Sequence, residues 1–361
     1  MASIVRGITS CFSTPNQSST ALSSSAFTKA PDARSLFPNT RPEVDGEDCL
    51  HDCETCTIHY PRKFEIDEEE KLYGTINGWS THLIVATGKT DWVRDVADEK
   101  DSVMEAVGKA TEPSNGKLML SASNMPLPAS ASARVQRDAQ DTPTTVLLLP
   151  AFTFVDNVTP AAVPQLIRDC INHAPTNTST LPFVVSTSTQ SGSATPEEVE
   201  EASGLVRTTS NSNPAPNQGL LSPRPCTHTY LILLCSQATR DARCGQSAPL
   251  LRREFERHLR PLGLYRDLHD ERPGGVGIYF ISHVGGHKFS ANVMIYRKAV
   301  AAGSKLEDEK VDEAAQCMWL ARVRPEDCEN IVRYTVLQGK VVKPDRQLRG
   351  GFDRARGLAS W

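Results

Sequence analysis

What this chain lacks narrows its role first. Its longest apolar runs, VLLLPAF at 146–152 and YLILLC at 230–235, fall far short of the ~20 residues a helix needs to cross a bilayer. A soluble protein with no membrane span is therefore expected. No dense basic stretch offers itself to nucleic acid, and no long acidic tail suggests a chaperone-like role. The formal net charge is only −4, with nine histidines taken as neutral. The opening, MASIVRGITSCF, has no apolar core of the secretory kind. The ten cysteines are thus expected to be reduced thiols serving as metal ligands or core residues, not a disulfide scaffold. Phosphate-binding signatures are incomplete as well. ATGKT (86–90) would need a glycine where Leu83 stands, and PGGVG (273–277) opens no helix.

Length and composition suggest the organisation. A chain of 361 residues has room for two ordinary cores. Residues 1–45 are expected to form a disordered tail or a mitochondrial presequence. The first 35 are Ser-rich and carry Arg6, Lys29 and Arg34 against the single acid Asp32. A first module is predicted over 46–185. It holds a buried strand in THLIVA, helical spacing at Val96, Val103, Met104 and Val107, and a polar insertion at 111–145. A strand follows in TVLLLPAFTFV, then a helix in PAAVPQLIRDCINHA and a short strand in LPFVVS.

Residues 186–225 are dominated by Ser, Thr, Asn and Pro. Such a segment buries too little apolar surface to offset its ordering entropy, and it is predicted to be a disordered linker. A second α/β module is predicted over 226–350, with strands at 229–235, VGIYFIS and ANVMIY. Its helices are expected in APLLRREFERHL and RPEDCENIVRYTVLQG, the latter with Pro325 in its first turn and Gly339 as its cap. Residues 351–361 form a C-terminal tail.

Chemistry concentrates in the second module. Cys235 ends a strand, and Cys244 follows after eight residues in SQATRDARCG. A strand-end cysteine is usually a core residue. Cys244 is read as lying in a polar loop, where Arg240 and Arg243 would favour thiolate and Ser236 or loop amides could donate to sulfur. Downstream, His283 and His287 flank Val284, Gly285 and Gly286 just after another strand. The two glycines allow a tight turn, so both imidazoles can approach one metal. Two thiolates and two imidazoles are the ligand set of a [2Fe–2S] cluster with sulfur on one iron and nitrogen on the other. A Cys2His2 zinc site is the rival, but zinc fingers pair their ligands about two to four residues apart. The wider cysteine spacing favours the cluster.

Near the start of the first module lie Cys49, Cys53, Cys56 and His59, in CLHDCETCTIHYP. This spacing suits zinc, a Cys53–Cys56 redox pair, or plain reduced thiols.

The segments CSQATRDARCGQSAPLL, GIYFISHVGGHKFSANVMIY and RVRPEDCENIVRYTVLQGKVV resemble the sucrase/ferredoxin-like family of thioredoxin-like [2Fe–2S] proteins. CTIHYPRKFEI and HLIVATGKTDWVRDV resemble its fungal branch. The resemblance covers 46–110, 144–185 and 226–350. It implies an α/β protein of two thioredoxin-like modules, the C-terminal one a thioredoxin-like ferredoxin with Cys235, Cys244, His283 and His287 as cluster ligands. It implies an electron-transfer or redox-regulatory role with a redox partner protein, more a carrier than an enzyme.

Two ferric ions, two sulfides and two thiolates sum to zero charge with neutral imidazoles, so the potential should lie above that of all-cysteine ferredoxins and fall with pH. Two alternatives stay open: a thiol–disulfide oxidoreductase using Cys53 and Cys56, and a non-redox zinc module. No paired-carboxylate glycosidase signature stands behind the word sucrase. The chain ends GLASW, and its Trp361 resembles the terminal tryptophan of clients of the cytosolic iron–sulfur assembly machinery. Mitochondrial and cytoplasmic locations both remain open.

Overall fold

The computed structural model describes residues 27–128, 142–182, 221–299 and 311–361. Short runs of β-branched and aliphatic residues, bounded by turn formers, make the strands. In chain order these are β1 (Thr28–Lys29), β2 (Thr81–Ala86), β3 (Leu118–Ser123), β4 (Thr144–Leu149), β5 (Thr153–Val158), β6 (Ser222–Pro225) and β7 (Tyr230–Cys235). They continue with β8 (Tyr265–Arg266), β9 (Val276–Ile281), β10 (Val293–Ala299), β11 (Val311–Leu320), β12 (Leu348–Asp353) and β13 (Leu358–Ala359). The helices are α1 (Ala33–Leu36), α2 (Pro42–Asp45), α3 (Val103–Lys109), α4 (Val163–Asp169), α5 (Ala242–Leu259), α6 (Cys328–Asn330) and α7 (Pro344–Gln347). None of the helices among the described residues is long and apolar enough to cross a membrane.

All thirteen strands belong to one mixed sheet, ordered β1-β13-β12-β11-β10-β7-β9-β3-β2-β4-β5-β6, with β8 beside β9. One pattern occurs twice in it. In β3-β2-β4-β5, the parallel pair β2 and β3 is joined through α3, and β4 and β5 follow antiparallel. In β9-β7-β10-β11, the parallel pair β7 and β9 is joined through α5, and β10 and β11 follow antiparallel. The central strands β2, β4 and β9 are buried at every residue, as both-face coverage requires.

The two patterns meet edge to edge where Ser123 of β3 faces Ile281 of β9. Side chains close this seam. Ser123 Oγ donates to the Phe280 carbonyl at 2.8 Å, and the Phe280 amide donates to Asn124 Oδ1 at 2.8 Å. Buried polar groups that satisfy one another cost little and fix the register. The cores respect this arrangement. One cluster packs α5 and the α6 region on the C-terminal half, and another packs α3 and α4 on the N-terminal half. A third is shared, with Trp79, Ile84 and Leu147 against Leu231, Tyr279 and Trp319.

Several boundaries differ from expectation. Residues 1–45 are expected to be a tail, yet residues 28–37 are built into the fold: β1 pairs with β13, and Leu36 and Phe37 are buried in the core. Asp32 caps α1 in a capping box with Ser35. The polar stretch 111–145 contains β3, whose small residues Ser121 and Ser123 disguise a buried strand. TVLLLPAFTFV is a hairpin, β4 and β5, because Pro150 breaks the ladder between them. Of the expected linker, 186–220 lies outside the described residues, while β6 pairs with β5 at the sheet edge. The strand expected in LPFVVS falls mostly outside the described residues, as do residues 1–26 of the expected tail. The expected tail 351–361 contains the end of β12 and all of β13, with the Gly351 amide donating to Ser360 Oγ at 3.0 Å.

Candidate metal centre

The first half of the site is built where β7 runs into α5. Cys235 closes the strand and is 2 % exposed. Asp241 then caps α5, accepting from the Arg243 amide at 2.9 Å, and its carboxylate holds the Arg243 guanidinium at 2.8 Å. The helix therefore starts at Ala242, six residues before the expected APLL segment. Cys244 sits in its first turn, fully buried, and not in a polar loop. The N-cap aspartate is the local sequence signal for this earlier start. Gly245 permits the close approach: a Cβ there would lie 2.5 Å from Ala238 Cβ in the preceding turn.

The second half is the turn after β9. Gly285 and Gly286 have φ of +84° and +66°, in the left-handed region that favours glycine. The turn carries His283 on one side and His287, which opens a short 3₁₀ turn to Phe289, on the other. Arg349 of β12 lies beneath it, donating to the Gly285 carbonyl and to Asn292 Oδ1, both at 3.0 Å. Asn292 returns a bond to the Gly286 carbonyl at 3.1 Å.

These two halves bring Cys235, Cys244 and His283 together, one ligand atom of each lying within 4.8 Å of the others. Cys235 Sγ is 3.8 Å from His283 Nδ1. His287 is exposed and stands beside the group, its ring centroid 5.4 Å from that of His283. A hydrogen bond from Cys235 draws the Cys244 thiol down to about 5, against the opposing effect of burial, with help from His283 and Ser290. The same bond and burial push Cys235 well above the ordinary thiol range. The pair therefore shares one proton and presents one thiolate. Two soft sulfurs and neutral-capable imidazoles form a donor set suited to zinc or to iron–sulfur chemistry.

Residues outside the ligand set hold it in place. Gln237, 1 % exposed, accepts from the His283 amide at 2.8 Å and donates to the Val93 carbonyl at 2.5 Å. Ser236 Oγ donates to the Thr90 carbonyl at 2.9 Å, and Thr239 Oγ1 to Asp91 at 2.8 Å. GKTDW, set aside as a phosphate loop, thus packs on the cysteine turn. No sequence pattern marked Gln237, Asn292 or Arg349.

In the N-terminal segment the structure regroups the expected ligands. Cys53 lies within 4.8 Å of His258 and Glu329, while His59 is exposed and Cys49 is buried, outside that group. Burial raises the Cys56 thiol, which works against an activated thiolate there. At the other end, Trp361 is half-buried, with its ring centroid 4.7 Å from that of Trp79.

Comparison with known proteins agrees with the motifs. The sucrase/ferredoxin-like family model matches residues 72–350. The actin patches distal protein 1 of Saccharomyces cerevisiae is 26 % identical over 310 residues, covering 82 % of each chain. Altered inheritance of mitochondria protein 32 of Clavispora lusitaniae is 30 % identical over 149 residues, 40 % of this chain and 45 % of that one. Its namesake in Debaryomyces hansenii is 34 % identical over 113 residues, 31 % of this chain and 33 % of the other. No solved structure matches significantly. The family match spans both halves of the sheet and every residue of the Cys–His site, and the chain belongs to the sucrase/ferredoxin-like family.

Proposed function

We propose that this chain is an iron–sulfur electron-transfer or redox-regulatory protein whose [2Fe–2S] cluster is held by Cys235, Cys244, His283 and His287. The observation that carries this reading is the convergence of two thiols and one imidazole within 4.8 Å, across a strand end, a helix start and a glycine turn. His287, exposed beside the three with its ring centroid 5.4 Å from that of His283, supplies the fourth donor of the set.

When bound, such a cluster supplies one-electron transfer at a potential tuned by ligand charge, hydrogen bonds and exposure. The chain's own residues do the rest. Cys244 supplies a ready thiolate, and the amides of Val284 and Gln237 stabilise charge on the Cys235 sulfur. Burial keeps water from the sulfur side, and exposed His287 forms the face for a redox partner protein.

The repeated strand order, with a helical crossover between parallel neighbours and two antiparallel strands after them, supports two thioredoxin-like modules, the second a thioredoxin-like ferredoxin. We assign them to 46–185 and 226–350, within one continuous sheet. The names of two relatives favour a mitochondrial association. Fractionation of cells expressing the full chain decides between the compartments.

An absorption spectrum tests the main reading. Visible bands that bleach with dithionite are expected, with about two irons per chain. A colourless protein carrying zinc at Cys235 and Cys244 would replace it with the zinc-module alternative.

A further inference from the structure

The molecule holds a second group of metal-ligating side chains, far from the first along α5. Cys244 lies in the first turn of this helix and His258 in its last, fourteen residues on. At a rise of about 1.5 Å per residue they are about 21 Å apart. Against the far end of α5 lies the segment around Cys53. It is tied down by its backbone: the Cys53 amide donates to the Glu326 carbonyl at 3.0 Å, and Asn330 Nδ2 donates to the His51 carbonyl at 2.7 Å. Tyr60 extends the attachment through a 2.7 Å bond to the Val323 carbonyl. These bonds bring one ligand atom each of Cys53, His258 and Glu329 within 4.8 Å of one another.

Two details separate this group from ordinary packing. His258 Nε2 is buried and has no hydrogen-bond partner, the nearest carboxylate oxygen, on Glu254, being 3.7 Å away. An unpaired buried ring nitrogen costs free energy unless something binds it. Arg257, in turn, donates to Cys53 Sγ at 3.3 Å and to Glu254 at 2.7 Å. A charged donor aimed at sulfur stabilises the thiolate that a metal needs, as outer partners do around metal sites. Thiolate, imidazole and carboxylate are together a zinc donor set, and on a tetrahedral ion their separations would be about 3.5 Å. Small side-chain rotations close that gap.

We propose that Cys53, His258 and Glu329 bind a zinc ion that fastens the N-terminal segment onto the ends of α5 and α6, independently of the Cys235–Cys244 centre. Binding takes the Cys53 thiol proton into solvent and leaves the zinc divalent, so no electron is exchanged. The site is structural, and its loss loosens the attachment of residues 49–60 to the helix that carries Cys244.

The experiment uses the full-length chain purified under reducing conditions, exposed to zinc or cobalt(II), desalted and assayed for metal. Cys235→Ser combined with Cys244→Ser removes both thiols of the first centre and so takes it out of the zinc count. This variant is expected to retain about one zinc per chain, and its cobalt form to show a sulfur-to-metal charge-transfer band. Adding Cys53→Ser or His258→Ala should abolish both. Glu329→Gln, nearly isosteric and expected to fold, should weaken zinc binding at least tenfold and cancel the zinc-dependent rise in melting temperature. Zinc retained at full stoichiometry in Cys53→Ser and His258→Ala would overturn the proposal. A chain carrying Cys235→Ser and Cys244→Ser that folds but takes up no zinc would overturn it equally.

Discussion

Gln237 joins the two halves of the protein at His283: its Oε1 accepts from the His283 amide at 2.8 Å while its Nε2 donates to the Val93 carbonyl at 2.5 Å. A residue that ligates nothing thus holds a candidate ligand against the opposite half of the sheet. Replacing it by leucine keeps the volume and leaves both partners unpaired, at about 1–3 kcal/mol for each buried group. Gln237→Leu is expected to lower the melting temperature and to lose iron several-fold faster under a chelator. Iron release followed by the decay of visible absorbance measures this, and an unchanged rate would refute the positioning role.

The two glycines of the histidine turn should respond differently. At Gly286 the left-handed backbone costs alanine about 1–2 kcal/mol, and a Cβ there would also sit 2.6 Å from Arg349 Cζ. At Gly285 nothing lies within 4 Å, so only the backbone penalty applies. Gly286→Ala should therefore destabilise the chain more than Gly285→Ala and reduce bound iron more. Parallel thermal melts and iron assays check the order, which depends on Arg349 lying beneath the turn.

Acid sensitivity should arise partly from His82. It is fully buried between Tyr296 Oη at 3.1 Å and Ser121 Oγ at 2.9 Å, and burial lowers its pKa from 6.5 to about 3. The unfolded chain binds the extra proton first. Stability from this group is therefore fully present above 6.5 and is lost as pH falls toward 3. Through that window the loss approaches ~1.4 kcal/mol per pH unit. His82→Gln should be less stable at neutral pH but should lose less on acidification. Urea denaturation of both proteins at about pH 7.5 and pH 5.5 gives the difference, and parallel slopes would refute it.

Trp361 allows a structural role to be separated from a recognition role. Its stacking on Trp79 should contribute about 0.5–1.5 kcal/mol beyond the area it buries. Trp361→Ala is expected to melt a few degrees lower. If the tail also engages the assembly machinery, iron loading in cells should fall well below that of wild type while chemical reconstitution in vitro still reaches the wild-type level. Equal loading by both routes would limit Trp361 to packing.

The sequence was most legible where local chemistry and chain order agree. THLIVA, YLILLC and VGIYFI are strands because short aliphatic runs between turn formers have few other conformations open to them. The Gly-Gly turn was legible because only glycine enters the left-handed region cheaply. Less legible were β1 and β3, whose threonines, serines and small residues become strands through partners far along the chain. Cys244 was mislocated because the Arg-rich segment looked solvated, whereas Asp241 makes it the first turn of α5.

By itself the sequence determined the donor types at Cys235, Cys244, His283 and His287 and the local turns that present them, because thiol, imidazole and glycine carry those properties wherever they stand. Tertiary structure alone decided which donors meet. It gathered Cys235, Cys244 and His283, and it drew Cys53 away from His59 toward His258 and Glu329. The physical reason is that ligand geometry belongs to the relative position of strands and helices. That position is set by the seam at Ser123 and Ile281 and by the shared core across the sheet, which join residues far apart along the chain.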